Sequence, residues 1–231
     1  MADNFYGKGF KLIRGVVRAF YPSYSVNQAD LPDAPVVYVS HHQNLFGPFV
    51  ILLWFPQSLH TWMLHVFLDR NACFQQYADY TFSKRFGLNK LLAKALAMPI
   101  SFFISKLLSS GKGIPVYRGS RKILHTFQQS VAALKNGESL IIFPDINYQD
   151  ASASTNELYD GFLFLEKYYY KATGSHVCFV PLYASKTKKS IVAGSSVYFR
   201  DGEDFQTERK FVLGKIHENL NDLARQCGDL S

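Results

Sequence analysis

Two adjacent histidines, His41 and His42, stand in the stretch SHHQNLFGPF at residues 40–49, between the apolar runs PVVYV and FVILLWF. An imidazole titrates close to neutrality and is the commonest general base. Such a base works best with a carboxylate that fixes its tautomer, yet no Asp or Glu follows within a local turn. Three further segments carry polar groups between apolar runs. YRGSR holds Arg118 and Arg121, PDINYQD holds Pro144, Asp145 and Asp150, and PLYAS follows Val180. A guanidinium offers two parallel charged hydrogen bonds and so suits a phosphate.

Elements that position these groups are legible from apolar periodicity. VVYVS reads as a buried strand, and Gly47-Pro48 as a helix start, with the helix at 48–54. TWMLHVFL reads as a strand and residues 83–109 as mostly helical. GIPV reads as a short strand, and SRKILHTFQQSVAALKNG as a helix closed by Gly137. ESLIIFP, VCFVPLYAS and SIVAGSSVYF read as strands, with NELYDGFLFLEKYYYKAT a helix between them and ERKFVLGKIHENLNDLARQC a closing helix. Strands alternating with helices predict an α/β fold, a single domain on a mixed, largely parallel sheet flanked by helices. The four polar segments each follow a strand, where ligand groups gather in open α/β sheets.

Residues 1–34 are expected to form an N-terminal helix and connector, and 35–231 the α/β domain. Within FYGKGFKLIRGVVRAF, Leu12, Ile13, Val16, Val17 and Phe20 make an apolar face and Lys11, Arg14 and Arg18 a basic one. That pattern suits a helix lying in a membrane interface or one packed on the domain.

The chain has 231 residues and a formal net charge of +7, and its 48% hydrophobic and 16% aromatic residues exclude a disordered chain. The basic excess fits nucleic acid, anionic membrane or anionic small molecules. No nucleic-acid motif is present, so a nucleic-acid partner is not expected. Cys73, Cys178 and Cys227 are odd in number and widely spaced, consistent with reduced thiols, and no zinc spacing occurs. No secretory signal is expected. LLAKALAMPISFFISKLL is interrupted by Lys94, Pro99 and Lys106 and is read as non-spanning, against the roughly 20 apolar residues a span needs.

The four segments, in this order, resemble the phospholipid/glycerol acyltransferase family, which includes lysophosphatidate and glycerol-3-phosphate acyltransferases. Its blocks read S-N-H-x-x-x-x-D, G-x-I-x-V-x-R, F-P-E-G-T-R-S and a V-P pair on a strand. Here SHHQNLFGP aligns His42 with the family histidine, GKGIPVYRGSR aligns Arg118, FPDINY aligns Asp145 with the family glutamate, and FVPLY aligns Val180 and Pro181. The resemblance implies a glycerol-3-phosphate acyltransferase-like fold and a membrane-associated, O-acyl-transferring activity. An acyl thioester, acyl-CoA or acyl-ACP, would be co-substrate, with no resident cofactor or metal. The acceptor would be a glycerol-type or lysophospholipid hydroxyl. His42 would be the base, with Arg118, Arg121 and the third-block residues Pro144 and Asp145 near the acceptor. Its partners would be a lipid surface and possibly acyl carrier protein, at the cytoplasmic face of the membrane.

The chain departs from the family at functional positions. The first-block aspartate is Gly47, and the G-T-R of the third block is Ile146-Asn147-Tyr148. Removing the orienting carboxylate of a Ser-His-Asp enzyme costs about 10⁴-fold in kcat, roughly 5 kcal/mol of barrier. Three compensations are open. His41 takes over as base, Asn44 orients His42, or Asp145 or Asp150 enters the cleft as partner, with Asp145 favoured. The other outcome is a catalytically silent protein that binds acyl chains or lysolipid.

Overall fold

The computed structural model describes residues 5–230. In chain order the elements are α1 (Lys8–Phe20), β1 (Ser25–Val26), β2 (Val37–Ser40), α2 (Phe46–Trp54), β3 (Leu59–Leu64), α3 (Arg70–Gln75), a π-helix (Gln76–Arg85), α4 (Lys90–Ser110), β4 (Ile114–Val116), α5 (Ile123–Lys135), β5 (Ser139–Ile142), α6 (Leu165–Thr173), β6 (Phe179–Ser185), β7 (Ser190–Ala193) and α7 (Phe205–Gln226). Short 3-10 turns lie at Gln28–Asp30, His65–Phe67 and Asp160–Phe164. The class is α/β: β1 with β7, β2 with β5, β2 with β6 and β3 with β4 pair in parallel, and β6 with β7 antiparallel.

The chain forms two compact units. One comprises residues 5–16 and His60–Thr126, the other residues 17–59 and 127–230. In the second unit the strand order is β1-β7-β6-β2-β5. Residues of β2, β5 and β6 are buried throughout, as the continuous apolar runs of a covered parallel sheet require. One face packs Tyr38, Ile141, Val180, Leu182 and Ala184 against Val50, Ile51 and Phe55 of α2 and its end. Tyr183, on the alternate face of β6, packs with Leu223, Ala224 and Cys227. Asp204 caps α7, accepting from the amides of Gln206 and Thr207. Its buried residues Val212, Ile216, Leu220 and Leu223 recur at the spacing of one helical face.

In the first unit, β3 and β4 pair in parallel with Trp62 opposite Ile114. Asn89 caps α4, its side chain accepting from the Leu92 amide at 2.9 Å. Helix α4 runs unbroken through Pro99, and it packs beside α3 and the π-helix. By length and composition it is long and apolar enough to cross a membrane.

Several elements differ from expectation for local reasons. Helix α2 begins at Phe46 rather than Pro48, because Leu45 adopts a left-handed conformation (φ 73°) and takes the N-cap. The TWMLHVFL strand ends at Leu64 and tightens into a 3-10 turn. The segment 83–109 is divided at Gly87 (φ 68°). The last strand stops at Ala193, and only Val197 rejoins Phe179 by an isolated bridge. The connector 21–35 contributes β1, which pairs with β7.

Candidate functional site

Register explains why distant residues meet. Val39 of β2 lies opposite Ile142 of β5 in a parallel pair. Three residues beyond each stand His42 and Asp145, so the two strands deliver both segments to one sheet edge. On the other side of β2, Tyr38 and Val39 lie opposite Val180 and Pro181 of β6, both buried.

The carboxylate of Asp145 is buried, and it holds two groups at once. Its Oδ1 meets Nδ1 of His41, and its Oδ2 accepts from the backbone amide of His42 at 2.8 Å. His41 is 1% exposed. Its other nitrogen, Nε2, lies 3.0 Å from the carbonyl oxygen of Ser152. A carbonyl only accepts, so Nε2 carries a proton. The imidazole–carboxylate pair at this sheet edge therefore involves His41, one position before the histidine aligned with the acyltransferase block.

His42 is turned the other way and is half-buried, its ring centroid 6.0 Å from those of Phe143 and Tyr148. Its Nδ1 accepts from the Leu45 amide at 3.1 Å. The neutral ring then carries its proton on Nε2, which makes that nitrogen a donor rather than a base. Burial lowers the pKa of His42; Asp145 opposes the shift and His41 adds to it. His42 is thus a neutral imidazole of fixed tautomer at neutral pH.

Between β2 and α2 the backbone makes a left-handed turn through Gln43, Asn44 and Leu45, with φ of 45°, 49° and 73°. Left-handed conformations cost non-glycine residues roughly 1–2 kcal/mol each, so other contacts must hold the turn. Buried Gln43 donates from Nε2 to the carbonyl of Ala184 at 3.1 Å, and the Gly47 amide donates to the His42 carbonyl at 3.2 Å. Asn44 is exposed at the tip of this turn. Gly47 is buried where α2 starts, and a β-carbon there would stand 2.1 Å from the His41 carbonyl oxygen. Position 47, aligned above with the aspartate of the acyltransferase block, has no room for a side chain in this backbone.

Asp150 does not reach either histidine ring. Its carboxylate accepts from the Ser152 amide at 2.9 Å and from Asn156 Nδ2 at 2.6 Å. The buried Pro144 accepts from the Tyr159 amide through its carbonyl at 2.7 Å. Arg118 and Arg121 lie exposed after β4, in the first unit. Sequence reasoning missed the Leu45 amide and the Ser152 carbonyl, since backbone groups leave no residue signature. Among the described residues no group of three His, Cys, Asp or Glu side chains is placed to hold a metal ion.

The geometry defines an α/β fold with an imidazole–carboxylate pair at the carboxyl ends of adjacent parallel strands. No protein-family model and no curated protein matches the sequence. Among solved structures, the fold is similar to that of the 1-acyl-sn-glycerophosphate (LPA) acyltransferase PlsC from Thermotoga maritima. The TM-score is 0.51 at 13% identity, over 93% of this chain and 79% of that one. At that identity the likeness is one of fold.

Proposed function

We propose that this chain is a divergent acyltransferase of glycerolipid type, acting at a membrane surface with the base displaced by one residue. The observation that carries the reading is the buried His41–Asp145 pair. It supplies the imidazole–carboxylate relation that Gly47 denies to His42. With Nδ1–H held by Asp145, His41 offers Nε2 as base once that nitrogen is released from the Ser152 carbonyl without its proton. Nε2 takes the proton of a glycerol-type or lysophospholipid hydroxyl as its oxygen attacks the thioester carbonyl carbon. The C–S bond breaks, and the departing thiol of CoA or acyl carrier protein recovers the proton. Arg118 and Arg121, exposed after β4, are chemically suited to an anionic group.

Membrane association is supported by the exposed surface of the first unit. Helix α4 buries the small residues Ala93, Ala97, Ser101 and Ser105 and exposes Leu91, Leu92, Leu96, Met98, Phe102 and Phe103. A water-facing helix has the opposite arrangement. In α1, Leu12 and Val16 are likewise exposed, and no residue of that helix is buried. We place the protein peripherally at the inner, cytoplasmic face of the membrane.

The test incubates purified protein with acyl-CoA and acyl-ACP and a panel of glycerol, glycerol phosphate and lysophospholipid acceptors, and follows thiol release. Turnover is expected to vanish in His41→Gln and to fall less in His42→Ala, each variant first checked for its melting temperature. A second reading is favoured by the Ser152 carbonyl on Nε2, namely a silent protein that binds acyl chains or lysolipid. Background rates in all three proteins, with lipid still bound, would establish it and overturn transfer.

A further inference from the structure

The Nε2 of His41 is capped by one short stretch of chain. After Asp145, the backbone is anchored at Ile146, whose amide donates to the Glu157 carbonyl at 3.1 Å. It is anchored again at buried Thr155, whose amide donates to Asn221 Oδ1 at 2.8 Å and whose carbonyl accepts from His217 Nε2 at 2.7 Å. Between these anchors residues 147–154 form no helix or strand, and Asn147, Tyr148, Gln149, Ala151 and Ser152 are exposed. Yet this stretch places the Ser152 carbonyl 3.0 Å from His41 Nε2.

Two side chains clasp it in that position. Asp150 accepts from the Ser152 amide, one peptide from the capping carbonyl, and from Asn156. Lys186, at the end of β6, donates to the Ala151 carbonyl at 3.2 Å while its ammonium lies 5.0 Å from the Phe46 ring centroid. Both clasps are exposed polar contacts of modest strength, whereas one anchor closes the base of the loop beside the Asp145–Leu158 bridge and the other ties to α7. A segment fastened firmly at its ends and lightly in its middle opens locally, at far lower cost than unfolding.

We infer that residues 147–154 are a strap that caps the base nitrogen of His41 and must lift before an acceptor hydroxyl can reach it. Asp150 is a positioning residue, acting on His41 through the Ser152 peptide. This rests on the assignment of His41 as base. In the closed strap Nε2 donates to the Ser152 carbonyl, so lifting the strap removes that partner and opens the nitrogen.

The experiment reads His41 directly. Exchange of the imidazole C2 hydrogen for deuterium, followed by NMR with labelled histidine, resolves His41 from His42 and from exposed His125. In Asp150→Ala and in Lys186→Met, exchange at His41 is expected to rise about tenfold or more over the unaltered protein, with His125 unchanged. Thiol release is expected to rise in the same variants. Asp150→Asn, which keeps one acceptor, is expected to fall between. Unchanged His41 exchange in both clasp variants overturns the strap, as does equal acceleration at every histidine. Faster exchange at His41 without turnover in any protein supports the strap and overturns the transfer reading instead.

Discussion

The carbonyl oxygen of His41 lies 2.1 Å from where a β-carbon on Gly47 would stand. The obstacle is backbone, held by the left-handed turn at 43–45 and by the Gly47 amide on the His42 carbonyl. An aspartate introduced at this position therefore does not create a dyad with His42. Gly47→Ala is expected to lose about 2 kcal/mol by overpacking, and Gly47→Asp at least as much, read as lower melting temperatures. Neither is expected to release thiol faster than the unaltered chain. A stable, more active Gly47→Asp would show that the missing carboxylate alone limits the site.

Asp145 joins three things, the His41 ring, the His42 amide and the start of the strap. Asp145→Ala leaves His41 buried without its partner, and breaking such a pair costs about 3–5 kcal/mol. Asp145→Asn still accepts from the His42 amide but can turn an NH₂ toward His41 Nδ1. That ring must then accept at Nδ1 and keep its proton on Nε2. The expected result is a folded protein whose thiol release falls by about 10⁴, as in triads that lose their carboxylate charge. Calorimetry and the thioester assay on the two variants separate the structural role from the tautomer role.

A second histidine cluster governs stability against pH. His176 donates from Nδ1 to buried Glu166 at 2.6 Å and from Nε2 to Asp201 at 3.0 Å. Burial pushes its pKa down, but the two carboxylates outweigh it and hold the ring above its ordinary value. Stability from this cluster is fully present below the unfolded value of about 6.5 and is lost as pH rises through the higher folded value. His42 has the opposite sign. Its lowered pKa makes the unfolded chain bind a proton first, so its contribution falls as pH drops below about 6.5. His176→Gln is expected to flatten the loss of melting temperature above neutrality, and His42→Gln the loss on the acid side. Melting curves from pH 5 to 9 read both.

Much of the sheet was legible because its strands are short, apolar and buried on both faces, as at Val37–Ser40 and Ser139–Ile142. Asp145 was legible as a partner in the cleft, because it follows β5 just as the histidines follow β2. Its choice of ring was not. His41 and His42 differ by one position, and side chains on an extended backbone alternate direction, but which of them turns inward is decided by the β2–β5 register. The early start of α2 was hidden for a related reason. Leu45 is a poor left-handed residue by type, and tertiary and local contacts hold it there: the Gln43 bond to β6, the Leu45 amide on His42 Nδ1 and the closeness of Gly47 to His41.

The exposed apolar face of α4 gives the last prediction. Leu91 is 83% exposed and Met98 60%, while the residues this helix buries are alanines and serines. Inserting one such large side chain into lipid is worth about 1.5–3 kcal/mol, roughly a tenfold or greater gain in affinity. Lys94 and Lys106 are exposed on the same helix, so anionic lipid adds a smaller, salt-sensitive attraction. Leu91→Ser with Met98→Ser is expected to lower binding to anionic phospholipid vesicles by at least about 100-fold at either salt, leaving the melting temperature unchanged because neither residue is buried. Lys94→Gln with Lys106→Gln is expected to weaken binding only at low salt. Vesicle co-sedimentation across a salt series distinguishes the two contributions. Equal binding by the double serine variant and the unaltered chain would place the lipid contact elsewhere.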